Sequence, residues 1–211
     1  MFLKELIKII KFKKIEKNYN YCFYVENKNI FFYLKNYILK KSKKHKVLIF
    51  SNQKITNENN VNIYNLCIKN KFLNYVFFKY SNFKYIYSST PDLNNSNFVK
   101  SFKKCKYIYL QHSPVSLTMA YNSKAFNNFD AVQAINTYQF NELDLINKKF
   151  NIKVRPFKSK YAFLELNNKN VDKKKKLLIA PTWNTNFYER NIHENLFRLL
   201  EKNKIDYEFR P

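Results

Sequence analysis

The residues best suited to chemistry stand together as Gln111-His112-Ser113-Pro114-Val115-Ser116, directly after the apolar and aromatic run Tyr107 to Leu110. A short apolar run of this kind reads as a buried strand that delivers a polar loop to one edge of a sheet. An imidazole there can take a proton near neutral pH, because histidine titrates close to it. Pro114 restrains the backbone, and the hydroxyls of Ser113 and Ser116 can bind a phosphate or cap a following helix. The same triplet also fits an ordinary loop histidine. A second polar cluster, Ser89-Thr90-Pro91-Asp92, follows another strand pattern at 84–88 and stands beside His112 if the two strands are neighbours. Asp92 would then orient the imidazole or contact a substrate hydroxyl, although Thr-Pro-Asp is equally a plain turn.

The elements that must carry these loops alternate along the chain. Strand patterns at 21–25, 46–50, 61–66, 84–88, 107–110, 131–135 and 153–156 are separated by helical patterns at 29–43, 70–80 and 137–149. This alternation predicts an α/β fold with a parallel sheet. The stretch 158–176 is polar and closes in Asp172 followed by four lysines, which reads as a linker. A strand at 177–180, a helix at 189–202 and a strand at 206–210 then restart the pattern as the opening βαβ of a second Rossmann-like domain. Residues 1–20 form a separate N-terminal element. Its apolar Phe2, Leu3, Leu6, Ile7, Ile9 and Ile10 are expected on one helical face, with Lys4, Lys8 and Lys11 opposite. Such a basic amphipathic helix either packs on the domain or lies on an anionic membrane surface.

Composition excludes several classes. Glycine is absent from all 211 residues, so neither a Walker loop nor a Gly-rich dinucleotide fingerprint can exist. Asparagine is expected to take the left-handed turn positions instead. The formal charge of +24 is spread along the chain, with no basic patch denser than the composition supplies, and no specific nucleic-acid module is present. Cys22, Cys67 and Cys105 lack metal-ligand spacing and read as small core residues, and no metal is assigned. No apolar run reaches the roughly 20 residues needed to span a bilayer, and the N-terminus lacks a signal-peptide layout, so the chain reads as cytoplasmic.

In order and spacing the motifs resemble the CDP-glycerol glycerophosphotransferases, which build teichoic-acid-type surface polymers. The resemblance rests on Thr90-Pro91-Asp92-Leu93, Gln111 to Ser116, Met119-Ala120-Tyr121, Ala125-Phe126 with Phe129-Asp130, Leu178 to Trp183, and Phe209-Arg210-Pro211. It implies a glycosyltransferase-B architecture with an acceptor-side Rossmann-like domain at 21–157 and an incomplete donor-nucleotide domain at 177–211. The implied reaction transfers glycerol phosphate from CDP-glycerol to a glycerol hydroxyl of a lipid-linked or glycerophosphate-polymer acceptor, releasing CMP, without a cofactor. The resemblance makes His112 the general base, groups Ser113, Pro114, Ser116, Thr90 and Asp92 on the acceptor side, and places Thr182 and Arg210 at the donor phosphates. Arginine suits that last role because its planar fork matches phosphate oxygens. Asn184 departs from the Gly or Arg common at its position. In the family a His-Pro pair follows the equivalent of Arg210-Pro211, so the sequence reads as a truncated piece. The resemblance also implies a protein peripheral to the inner membrane face. A nucleotide-sugar glycosyltransferase of the same fold and a non-enzymatic basic remnant are the alternatives, since fold does not set the donor.

Overall fold

The computed structural model describes residues 2–55, 60–91, 93–94, 97–122, 124–161, 177–179 and 192–209. They fall in two compact units, Met1–Asn168 and Lys169–Pro211. In the first unit a helix α1 (Phe2–Lys13) and a 3-10 turn precede β1 (Tyr21–Val25), α2 (Lys28–Ser42), β2 (Val47–Ser51) and β3 (Ile63–Cys67). Then come α3 (Lys71–Lys79), β4 (Tyr85–Ser88), β5 (Lys106–Tyr109), β6 (Ala131–Ala134), α4 (Thr137–Phe150) and β7 (Arg155–Lys158).

All seven strands pair in parallel, in the order β3-β2-β1-β4-β5-β6-β7. The chain winds one way from β1 to β3 and the other way from β4 to β7, as in a Rossmann-like sheet, and the direction reverses between β1 and β4. Right-handed crossovers then put the two halves' connections on opposite faces. On one face α1, α3 and α4 bury Ile9, Phe12, Phe77, Phe78, Leu143 and Ile146 against the sheet. On the other, α2 buries Leu34 and Ile38 over Phe23, Val25, Val47 and Ile49.

The helix starts follow from asparagine. Asn27, Asn70 and Asn136 each precede a helix and accept a hydrogen bond from the backbone N–H three residues on, at 2.9–3.0 Å. Asn151 closes α4 in the left-handed conformation at φ 50°, and Asn94 has φ 81°. Asparagine therefore does fill turn positions that glycine would otherwise hold.

One expected boundary needs correction. The last strand of the unit spans Arg155–Lys158 rather than 153–156, because the Asn147 side chain ties down Val154, accepting from its N–H and donating to its carbonyl. Helix α1 carries its apolar residues on one face, but that face is not the one it buries. It buries Glu5, Ile9 and Phe12, and leaves Phe2, Leu3, Ile7 and Ile10 exposed. Glu5 is buried for a reason: its Oε2 accepts the backbone N–H groups of Lys69 and Asn70, at 3.2 and 3.0 Å, where α3 begins. A carboxylate is favourable there because unpaired N–H groups and the helix dipole both point toward it.

The second unit pairs β8 (Leu177–Ile179) in parallel with β9 (Tyr207–Phe209), with α5 (Ile192–Lys202) between them. Phe197 of α5 stacks on Tyr207, ring centroids 5.3 Å apart, and meets Phe209 edge-on at 5.1 Å. The helix is thereby held on β9. The linker stretch 162–176 lies outside the described residues.

Candidate active site

The parallel sheet delivers the carboxyl ends of all its strands to one edge, and the winding reverses between β1 and β4, the place where sheets of this kind bind their ligands. The β4 and β5 loops leave side by side. Leu110 N–H donates to the Ser88 carbonyl at 2.8 Å, carrying the pairing one residue past the strands, and the buried Ser89 hydroxyl donates to the Leu110 carbonyl at 2.6 Å. Thr90 and His112 therefore follow neighbouring strand ends. Thr90 N–H donates to Ser88 Oγ at 2.9 Å, which closes a tight turn around Ser88.

A buried trio of glutamines fixes the loop that bears His112. Gln111 N–H donates to Gln133 Oε1 at 2.9 Å, and Gln111 Nε2 donates to the Gln133 carbonyl at 2.6 Å. Gln111 and Gln139 exchange amide hydrogen bonds at 2.8 and 2.9 Å, while Gln139 Nε2 also holds the Val115 carbonyl at 2.8 Å. Gln139 Oε1 accepts from Ile135 N–H at 3.0 Å, so one side chain ties the start of α4 to the His112 loop. From the far side, the Tyr161 hydroxyl donates to the His112 carbonyl at 2.6 Å. A phenol is a donor at neutral pH, and burial pushes that of Tyr161 higher still.

Glu142 of α4 fixes the next turn. Its Oε1 accepts from the Ser116 hydroxyl at 2.5 Å and from Thr118 Oγ1 at 3.2 Å, and its Oε2 accepts from Leu117 N–H at 2.8 Å. Ser116 Oγ in turn accepts from Met119 N–H at 3.1 Å. Ser116 therefore spends its proton on Glu142 and acts within the loop. The Ser113 carbonyl accepts from Val115 N–H at 3.0 Å, and Pro114 is exposed at the tip.

The imidazole itself is different. His112 is half-buried beside Tyr33 of α2, ring centroids 6.4 Å apart, and its Nδ1 is shielded from water with no hydrogen-bond partner among the described residues. A buried nitrogen of this kind is uncommon, because an unmet polar group costs about 1–3 kcal/mol. No hydrogen bond at Nδ1 therefore fixes which ring nitrogen carries the proton. A half-turn about Cβ–Cγ exchanges Nδ1 with Cδ2 and forfeits no hydrogen bond at Nδ1, since none is made there.

Of the residues expected at the site, Thr90, His112, Ser113, Pro114 and Ser116 stand on the adjoining β4 and β5 loops. Asp92, Thr182 and Arg210 lie outside the described residues. Sequence reading missed Gln133, Gln139, Glu142 and Tyr161. A signal existed for two of them. Gln133 interrupts an apolar strand, and Asn136-x-x-Gln139 has the spacing of a capping box whose second member has been turned toward the loop.

No family model matches the chain, and no curated protein matches it. Among solved structures, a variant of the wall teichoic acid polymerase TagF soaked with CDPG resembles it at 12% identity and a TM-score of 0.47. That likeness covers 98% of this chain and 62% of the other, so the chain spans less than two thirds of that neighbour.

Proposed function

We propose that the chain belongs to a glycerophosphotransferase that moves glycerol phosphate from CDP-glycerol to a glycerol hydroxyl of a lipid-linked or glycerophosphate-polymer acceptor. The observation that carries this reading is the unpartnered Nδ1 of His112 at the carboxyl end of β5, within the ordered motif series from Thr90 to Pro211. In the reaction the acceptor hydroxyl oxygen attacks the β-phosphorus, and an oxygen–phosphorus bond forms. The bond from that phosphorus to the bridging oxygen breaks, and CMP leaves with the electron pair. The hydroxyl proton passes to His112, a step worth about 10²- to 10⁴-fold in rate. Holding nucleophile and phosphorus in line lowers the rest of the barrier.

In this reading residues 21–157 form the acceptor-side domain and 177–211 begin the donor domain, with Thr182 and Arg210 on the donor phosphates. Thr90, Asp92 and Ser113 serve the acceptor beside His112, with Pro114 and Ser116 shaping the loop. The exposed Phe2, Leu3, Ile7 and Ile10 of α1, set among Lys4, Lys8 and Lys11, give the protein an inner-membrane surface contact. Among the described residues no helix is long and apolar enough to cross a membrane.

The test is release of CMP from CDP-glycerol, with a glycerophosphate-primed lipid acceptor, by the natural gene product that carries this chain. Wild-type activity that falls at least about 100-fold in a folded His112→Ala variant is expected. No CMP release from a folded wild-type protein would overturn the reading in favour of another activated donor.

A further inference from the structure

The amino ends of the strands, at the edge of the sheet opposite His112, carry a cavity of about 650 Å³, within the size range of small-molecule sites. Its origin lies in the register. On the face covered by α2, one row of side chains runs through Tyr87, Ile108, Ala131 and Arg155 on successive strands. Helix α2 packs over β1 and β2 and reaches β4, where its Tyr37 meets Tyr87 edge-on at 5.6 Å; among the described residues no other helix covers this face. Ala131 is the small member of the row. Between Ile108 and Arg155 it leaves the sheet surface low, so the cavity forms where helix cover ends.

The walls combine two chemistries. One is aromatic and apolar: Tyr21 and Tyr85 are register partners whose rings stack at 5.6 Å and 13°, and Tyr87, Ile108 and Phe157 continue the surface. The other is cationic. Lys41, Lys106, Lys153 and Arg155 line the cavity against the single carboxylate of Asp130. One oxygen of that carboxylate is already used, accepting Tyr107 N–H at 2.7 Å. The lysines alone would mean little in so basic a chain. Arg155 means more, because the chain has four arginines and Arg155 is the sole one in the first unit. Its fork matches two phosphate oxygens as a lysine does not.

We infer that this cavity binds an organic phosphate, its charged end held by Lys106, Lys153 and Arg155 and its flat apolar body lying on Tyr85 and Ile108 over Ala131. The site goes beyond the transfer reaction: it shares no residue with the His112 loop, and it survives if that reaction is refuted. A free phosphate ester and a phospholipid headgroup offer the same chemistry, and the experiment separates them.

Calorimetric titration of the 211-residue chain with phenyl phosphate and with inorganic phosphate is the test. One saturable site is expected, with phenyl phosphate at least about 5-fold tighter because its ring removes apolar surface from water. Lys106→Gln with Arg155→Gln should weaken phenyl phosphate by at least about 10-fold, the loss of charge-assisted hydrogen bonds. Ala131→Leu should fill the low point and abolish the ring's advantage while inorganic phosphate still binds. The control Lys17→Gln with Lys124→Gln removes the same charge from exposed positions outside the cavity. Equal weakening by the control pair, or unchanged binding in Lys106→Gln with Arg155→Gln at wild-type melting temperature, overturns the proposal. So does equal affinity for the two phosphates. Vesicles of phosphatidylcholine with and without phosphatidic acid name the source: association that needs phosphatidic acid and falls in the cavity pair identifies a headgroup, and its absence beside phenyl phosphate binding identifies a free ester.

Discussion

Replacing Gln139 with leucine tests whether the glutamine trio holds the His112 loop. The side chain is 3% exposed and makes four hydrogen bonds: two exchanged with Gln111, one from Ile135 N–H and one to the Val115 carbonyl. Leucine has nearly the same volume, so cavity formation is minor and the cost is polar. Gln111, 1% exposed, loses the partner of its Oε1 and one of two partners of its Nε2. At about 1–3 kcal/mol for each buried group left unmet, and about 1 kcal/mol for each partly exposed backbone bond, the gross loss is about 5 kcal/mol. Burying the extra apolar surface returns about 1–2 kcal/mol, leaving about 3 kcal/mol of net destabilisation. Urea unfolding followed by near-ultraviolet circular dichroism measures it, together with Gln111→Leu and the double variant. The double variant should be more stable than the summed single losses by about 1.5–2 kcal/mol, because it removes both partners of the exchanged pair. A loss under about 1 kcal/mol in Gln139→Leu, or strictly additive costs, would refute the network as the element that orders the loop.

Alkaline pH should unfold the protein through its buried tyrosines. Burial pushes the Tyr24 phenol up to about 12 from 10.0, and pushes Tyr87, Tyr107 and Tyr109 higher still. For a phenol raised in the folded state the stabilisation is complete below pH 10.0 and is lost as pH climbs through about 12. Tyr24 alone accounts for about 2–3 kcal/mol, about half of it lost by about pH 11, so with the other three rings the melting temperature should fall steeply between about pH 9 and pH 11, about one unit either side of the free phenol. An unchanged melting temperature over that interval would contradict the burial of these rings. Glu5→Ala should cost about 2 kcal/mol, since it strips two backbone N–H groups at the start of α3 of their acceptor. Hydrogen exchange should show Lys69 and Asn70 losing protection, and equal protection in the variant would count against the contact.

Local signals made much of the fold legible. Branched and aromatic runs mark the strands, asparagines mark the helix starts, and Asn151 marks the end of α4, because each acts on backbone a few residues away. The position of His112 at a strand end was readable for the same reason: four apolar residues cannot be buried without delivering the next polar residues to the edge of the sheet. The partners of that loop were not readable. Gln133, Gln139 and Tyr161 reach residues 22 to 49 positions distant; an amide inside an apolar strand and a capping-box spacing mark the two glutamines as unusual, but nothing local names the residues they bind. Only the pairing of β4 with both β1 and β5 brings Thr90 beside His112. Helix α1 shows the limit most clearly. Its periodicity described an amphipathic helix, but the buried side was chosen by N–H groups 64 and 65 residues away that needed a carboxylate. The amino-end cavity belongs wholly to the tertiary structure, since Tyr85, Lys106, Ala131 and Arg155 become neighbours only when four parallel strands fall into register.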